Sequence, residues 1–279
     1  MGAGPAGLAA AIWALRLGWD SVIVERATVA GGQLRTYSLP VVDLPGFGPA
    51  PASALIEQLV QQVNNLGVPI YWNSPAEHWD GAVLRCQDGL AIRADWLFFA
   101  PGLRPRRLAI TGEELVYPGS VSELAQGSRP QRILVVGGGD RAVEGALRLA
   151  AARHDVTLLV RSEALKARQS YQASLQRSAV RVLARTRLVK LMRDDNKIRA
   201  ALATGEQVGE WIGDNVIVRI GMEPDAGPYW VRVADDRAEA ALPRMTVIGD
   251  AAHQPWERSL VTAFSSAMRA VKECVLRQP

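Results

Sequence analysis

Gly2-Ala3-Gly4-Pro5-Ala6-Gly7, running straight into the alanine-rich Leu8 to Leu17, is the stretch whose reading decides the fold. A G-x-G-x-x-G turn lets backbone approach a diphosphate, and the helix behind it aims its N-terminal amides at the charge. Such a turn normally follows a buried parallel strand, and here only Met1 precedes it. That strand would sit mid-sheet, so without it two strand edges are left buried and unpaired. About five large apolar residues at roughly 1.5–3 kcal/mol each exceed most of a domain's net stability of about 5–15 kcal/mol. The expectation is therefore a start upstream of Met1. Failing that, a substitute strand beside Ser21–Val24 or disorder over residues 1–7 is expected.

A second turn of the same kind, Gly137-Gly138-Gly139-Asp140-Arg141-Ala142, follows the apolar strand Ile133–Val136. It leads into a helix to about Ala152 and a strand Val156–Val160, as the first turn leads to a strand Ser21–Val24 ending at Glu25. One glycine turn is a weak signal. Two, each in turn-helix-strand context, are far stronger. Continuous apolar strands of this sort are buried on both faces of a parallel sheet. The predicted fold class is α/β, with two Rossmann-like, three-layer ββα domains and the first β-strand missing. Between the turns lie a Pro/Gly-rich loop Leu39–Pro51, an amphipathic helix Ser53–Leu66 and strands at Val68–Trp72, Val83–Cys86, Leu90–Arg93 and Trp96–Phe99. Beyond them come further strands, a junction near Gly221–Gly227, a return strand Met245–Ile248 and a last helix Leu260–Leu276.

Composition narrows the function. Hydrophobic residues make up 48% and charged residues 22%, which excludes wholesale disorder. The net charge of +4 suits an acidic or phosphorylated partner only weakly. Cys86 and Cys274 form neither a disulfide framework nor a metal pair, and suit a reducing cytosol. His78, His154 and His253 are scattered, so no metal site is expected. The apolar run Leu8–Leu17 is too short to span a bilayer, and no targeting or membrane segment is read.

The residue ending the second strand of such a unit faces the adenosine ribose, where a carboxylate accepts from the hydroxyls and a cation accommodates a 2′-phosphate. Glu25 therefore suits FAD or NAD in the first unit. In the second, Arg161 with Lys166 and Arg168 close behind suits NADPH.

With these residues in hand, the chain resembles the low-molecular-weight thioredoxin-reductase-type flavoproteins over nearly its full length. The matching stretches are Gly2–Gly7, Glu25, Gly31-Gly32-Gln33-Leu34, Asp43-Leu44-Pro45-Gly46, Ala100-Pro101-Gly102, Gly137–Ala142 with Glu144, Ile220-Gly221-Met222-Glu223-Pro224, Gly249-Asp250 and Glu257-Arg258-Ser259. The resemblance implies that Gly2, Gly4, Pro5, Ala6, Gly7, Glu25, Arg26, Gly31, Gly32, Gln33, Leu34, Asp43, Ala100, Gly102, Gly249, Asp250, Arg258 and Ser259 hold FAD, Asp250 bonding the ribityl chain. It implies that Gly137, Gly139, Asp140, Arg141, Ala142, Glu144, Arg161, Lys166 and Gly221 serve NADPH. The family's NADPH domain is inserted into its FAD domain. The expected domains are 1–110 with 228–279 for FAD, and 111–227 for NAD(P)H.

The departures carry as much meaning. Thioredoxin reductases proper have a C-x-x-C before the second glycine turn, because a dithiol must take electrons from flavin. Here that region reads Leu115 to Ser122 without a cysteine, which resembles the ferredoxin/flavodoxin–NADP reductase branch. Arg141 replaces a small hydroxyl residue, Ser162 stands at a place of a phosphate-binding arginine, and Ser259 stands where a glutamine approaches the flavin. The expected activity passes electrons from NADPH through FAD to an acidic carrier protein or a small acceptor. No catalytic side chain is named, since the chemistry is the cofactor's. His253 reads as an ordinary loop histidine, and Trp256 as a flavin neighbour to watch. A degenerate nucleotide-binding sensor or partner protein, and a diflavin variant, are the alternatives. No nucleic acid, metal or membrane is expected, the compartment is cytoplasmic, and a homodimer is implied by resemblance.

Overall fold

The computed structural model describes residues 1–37, 40–225, 227 and 231–276. Leu39, Ala226 and Pro228, which fall in the expected loop, junction and domain boundary, lie outside them. In chain order the elements used below are α1 (Pro5–Arg16), β1 (Ile23–Val24), α2 (Ala52–Asn65), β2 (Ile70–Tyr71), β3 (Ala76–Trp79), β4 (Val83–Cys86), β5 (Ala91–Arg93), β6 (Leu97–Phe99) and α3 (Val121–Ala125). They continue with β7 (Arg132–Val136), α4 (Asp140–Ala151), β8 (Asp155–Leu159), α5 (Gln169–Gln176), β9 (Arg181–Leu183), β10 (Thr186–Asp194), β11 (Lys197–Thr204), β12 (Gln207–Gly213) and β13 (Asn215–Val218). Last come β14 (Met245–Val247) and α6 (Leu260–Leu276). The chain divides into two compact units, Met1–Arg104 with Glu223–Pro279, and Pro105–Met222.

In the first unit α1 starts where the glycine turn ends. Gly4 is its N-cap, Pro5 takes the first helical position, where a missing N–H costs nothing, and Arg16 sits in the last turn. Alanines 6, 9, 10 and 14 of α1 pack against Ala263, Ala267, Ala270 and Val271 of α6. Leu8 and Ala11 join Val63 of α2 and Ile23 of β1. Small residues thus bring α1 and α6 close together. Trp13 is held between two cations, Arg16 at 4.8 Å and Lys272 at 5.0 Å from the ring centre. On the other face of the sheet, the antiparallel meander β3-β4-β5 sends Trp79, Leu84 and Cys86 onto Leu97, Phe99 and Met245.

The parallel strands pair as β2 with β1 and β6 with β14. Residues Met1 to Gly2 lie between the two pairs. The Met1 amine donates to Phe98 O at 2.7 Å, Ala100 N donates to Met1 O at 2.9 Å, and Gly2 N donates to Val24 O at 2.8 Å. The expected substitute strand beside Ser21–Val24 is not found among the described residues. Three hydrogen bonds, two donated by Met1 and Gly2 and one accepted by Met1, join the edges there instead.

The second unit has a parallel sheet in the order β9-β8-β7-β13. β7 shows why a continuous apolar run is needed. Ile133 and Val135 face a core shared with α4 residues Ala142, Val143, Ala146 and Leu149. Leu134 and Val136 face Leu191, Ala200, Leu202 and Trp211 of the antiparallel sheet β10-β11-β12. Both faces are dry, so alternation disappears from the sequence. Each unit is therefore helices, parallel sheet and antiparallel meander, the expected α/β architecture.

Candidate cofactor sites

In the first unit the separate glycine stretches meet at the N-terminus of α1. Gly7 has no room for a side chain, since a Cβ would lie 1.8 Å from Gly2 O. Gly31 N donates to Ala3 O at 2.8 Å, and a Cβ on Gly32 would lie 3.4 Å from Gly4 Cα. The Gly32–Thr36 turn of 3-10 helix, with Gln33 and Leu34, is thereby laid against the first glycine turn. Gly102 approaches Gln33, a Cβ there lying 3.8 Å from Gln33 Nε2. Ala100 and Gly249 close the group, against Gly2 and Ala6 respectively. The first turn of α1 has no side-chain cap and contains no acidic residue, an arrangement that favours an anion.

Three side chains give the cleft its charge. Glu25 accepts from Ala3 N at 2.6 Å and Ala27 N at 2.8 Å, which fixes its carboxylate at the end of β1. Arg26 pairs with Asp225 at 2.7 Å, and Asp225 N donates to Gly102 O at 3.0 Å. Asp250 follows Gly249, and its Oδ1 is buried without a hydrogen-bond partner. Burial pushes the Asp250 carboxyl above its ordinary value, outweighing the nearby Arg258 and His253. A buried acceptor left unpaired needs a reason, and a donor from a bound ligand supplies one.

Other expected residues have structural duties. Arg258 Nε donates to the backbone oxygens of Asp250 and His253, both at 3.2 Å, holding the loop before α6. Ser259 caps α6, its Oγ accepting from Thr262 N at 3.0 Å. His253 Nδ1 lies 2.9 Å from Gly249 O. Asp43 is exposed and has no hydrogen bond or ion pair to the cleft among the described residues. Trp256 is 83% exposed. Leu34 also lines a cavity of about 450 Å³ with Ala30, Tyr37, Ala52, Ile56 and Glu57.

In the second unit Gly137 makes the turn. Its φ is +145°, and a Cβ would lie 2.2 Å from Arg219 O. Gly139 is the N-cap of α4, and Ala142 is fully buried. Lys166 N donates to Gly138 O at 2.8 Å, so the segment carrying the basic cluster lies along the turn. Of that cluster, Arg168 is engaged: its backbone N and Nε both reach Asp140, at 2.7 and 2.6 Å, and it stacks over Tyr171. Arg161 and Lys166 are exposed and have no ion pair among the described residues. Arg141 is exposed and Glu144 half-buried on α4. Gly221 has a φ of +108° and accepts at its carbonyl from Arg106 N at 3.1 Å.

The sequence reading missed Arg219 and the Arg26–Asp225 pair. A cation ending the apolar run Val216–Val218 was the available signal for Arg219. Nothing local foretold a pair 199 positions apart.

Residues 1–273 match the family model described as pyridine nucleotide-disulphide oxidoreductase. A 34.2 kDa protein of the rubredoxin operon of Clostridium pasteurianum is 30% identical over 236 residues, 80% of this chain and 75% of that one. A ferredoxin–NADP reductase of Paraburkholderia phymatum is 28% identical, covering 98% of this chain and 86% of its own. Among solved structures, Lactococcus lactis thioredoxin reductase superposes with a TM-score of 0.81 at 24% identity, over 99% of this chain and 96% of that one. The bacillithiol disulfide reductase of Bacillus cereus gives the same TM-score at 16% identity, over 99% and 98%.

Proposed function

The chain belongs to the pyridine nucleotide-disulphide oxidoreductase family, and on that premise we propose that it moves electrons from NADPH through FAD to an acidic carrier protein or a small acceptor. The family implies FAD and NAD(P)H binding and an oxidoreductase activity. Cys86 and Cys274 are both buried and far apart in sequence, and no C-x-x-C is present, so the activity uses no redox disulfide.

The observation that carries the assignment of FAD to the first unit is the unpaired, buried Oδ1 of Asp250 beside Gly249 and the α1 turn. FAD, when bound, supplies the redox chemistry at its flavin ring. Asp250 would accept from a ligand hydroxyl, and the amides at the start of α1 would take the diphosphate. Gly4 and Gly32 leave its backbone path free of side chains. Glu25, already held by two backbone amides, presents its remaining lone pairs to the ribose. Gln33, Leu34, Ala100 and Gly102 would complete the walls of the site. In the second unit Gly137 to Ala142 take the diphosphate of NADPH, while Arg161 and Lys166 take the 2′-phosphate.

The carrier reading is supported by similarity to proteins named ferredoxin–NADP reductase. The test is the visible spectrum of the purified protein, followed by anaerobic NADPH. Flavin bands that bleach are the expected result. Bound flavin that NADPH does not reduce would sink the reductase reading, and absence of flavin would favour a nucleotide-binding protein without turnover.

A further inference from the structure

Arg219 lies outside the glycine-turn motif yet is built into it. It follows β13, which borders β7 on the side away from β8. Arg219 N donates to Val136 O at 2.7 Å, and Arg219 O stands against Gly137, as described above. Its guanidinium is half-buried and donates to Val218 O at 2.9 Å. Among the described residues no carboxylate forms an ion pair with it. Burial, helped by the Arg141 cation of α4, holds its pKa below the usual arginine value, and Glu144 of α4 acts the other way.

A half-buried guanidinium without a carboxylate partner, on backbone packed against the turn that leads into Arg141, is an unfavourable arrangement until an anion joins it. Asp140, the nearest acid of the turn, is taken by Arg168. The position narrows the anion. In a doubly wound sheet the dinucleotide crosses the carboxyl ends of the strands, its adenosine over the second strand of the unit. Here that strand is β8 with Arg161, so Arg219 after β13 stands at the glycine turn on the side away from the adenosine, where the diphosphate crosses.

We infer that Arg219, with Arg141, is the specificity-determining pair that recognises the diphosphate of a pyridine dinucleotide, on the side opposite Arg161. The inference rests on the assignment of this unit to NADPH. Two planar guanidinium donors match adjacent phosphate oxygens and add positive charge at the diphosphate, which adenosine 2′-monophosphate lacks. The pair therefore sets the margin by which dinucleotide is preferred over adenosine 2′-monophosphate, while Arg161 acts on both ligands.

Calorimetric titration of the whole purified protein with NADP⁺ and with adenosine 2′-monophosphate tests this. Arg219→Met, which keeps much of the apolar stem, is expected to weaken NADP⁺ about tenfold to hundredfold. It should also flatten the salt dependence while changing adenosine 2′-monophosphate less than about twofold. Arg141→Met should move NADP⁺ in the same direction, and Arg219→Lys should restore part of the loss. Arg161→Ala should weaken both ligands. NADP⁺ affinity unchanged in Arg219→Met overturns the inference, as does an equal loss on both ligands, which is the mark of a structural role. If Arg219→Met fails to fold, unchanged NADP⁺ affinity in the exposed Arg141→Met overturns it and a selective loss supports it. Wild-type protein that binds neither ligand overturns the NADPH assignment itself, before any variant is compared.

Discussion

Replacing Asp250 separates the holding of a ligand from the holding of the fold, because the two effects have opposite signs. Its Oδ1 is buried with no donor, and an unsatisfied buried acceptor costs about 1–3 kcal/mol. Asp250→Ala removes that cost. It keeps the Asp250 carbonyl that accepts from Arg258 and forfeits only the attraction to Arg258 and His253. Flavin-free Asp250→Ala should therefore unfold in urea at the same or a higher midpoint than wild type. Its affinity for FAD should fall about 10-fold to 150-fold, the worth of a charge-assisted hydrogen bond of about 1.5–3 kcal/mol. A pH series gives a second reading. The folded carboxyl, raised by burial, keeps its proton to higher pH than the unfolded one. The fold then binds more protons in that window, and this group's contribution to stability falls as pH rises through the raised value. The advantage of flavin-free Asp250→Asn over wild type should widen with pH and vanish below the ordinary carboxylate range. FAD affinity within about threefold of wild type, or a flavin-free Asp250→Ala destabilised by more than about 1 kcal/mol, would refute the reasoning.

Three further perturbations follow from the geometry. Gly7→Ala places a Cβ 1.8 Å from Gly2 O and should cost about 1–3 kcal/mol or more in chemical denaturation. Gly139→Ala meets nothing within 4 Å and should cost no more than about 1 kcal/mol. Arg161→Ala should narrow the preference for NADPH over NADH about tenfold or more in steady-state kinetics. Arg168→Ala, whose side chain is already paired with Asp140 and 71% exposed, should leave that preference within about threefold and cost at most about 1 kcal/mol of stability. In a polypeptide whose first residue is Met1, burial lowers the amine's pKa to about 6. The fold then binds fewer protons than the unfolded chain, so stability should rise between pH 6 and 8, by at most about 3 kcal/mol. Acetylation of that amine should abolish the slope in pH-dependent melts.

What was legible in the sequence follows the range of the forces involved. The turns at Gly2 and Gly137 were readable because a positive φ or a blocked Cβ leaves only glycine, and the strand Ile133–Val136 because both its faces are buried. Strand ends were less so. Ser21 and Val22 looked like strand, yet only Ile23–Val24 pairs with Ile70–Tyr71. Local alternation cannot report how far a neighbour extends. Ser259 stands at the flavin-side position of the family pattern, yet its spacing to Thr262 equally suits a helix cap, and the cap is what forms. Arg168 was counted with the phosphate cations, and only coordinates reveal that Asp140 occupies it. Long-range pairs such as Arg26 with Asp225 leave no trace in local pattern.

The first unit is made of two lengths of chain with the whole second unit between them. During synthesis this imposes an order. Residues 105–222 can complete their sheet, with β7 flanked by β8 and β13, as soon as they leave the ribosome. The first 104 residues cannot. The alanine face of α1 waits for α6, and the edge of β6 waits for β14, both made last. Until then an apolar helix face and an open strand edge are exposed together, the condition under which nascent chains aggregate or recruit chaperones. The insertion of residues 105–222 therefore makes the first unit the late and vulnerable step of the molecule's own assembly.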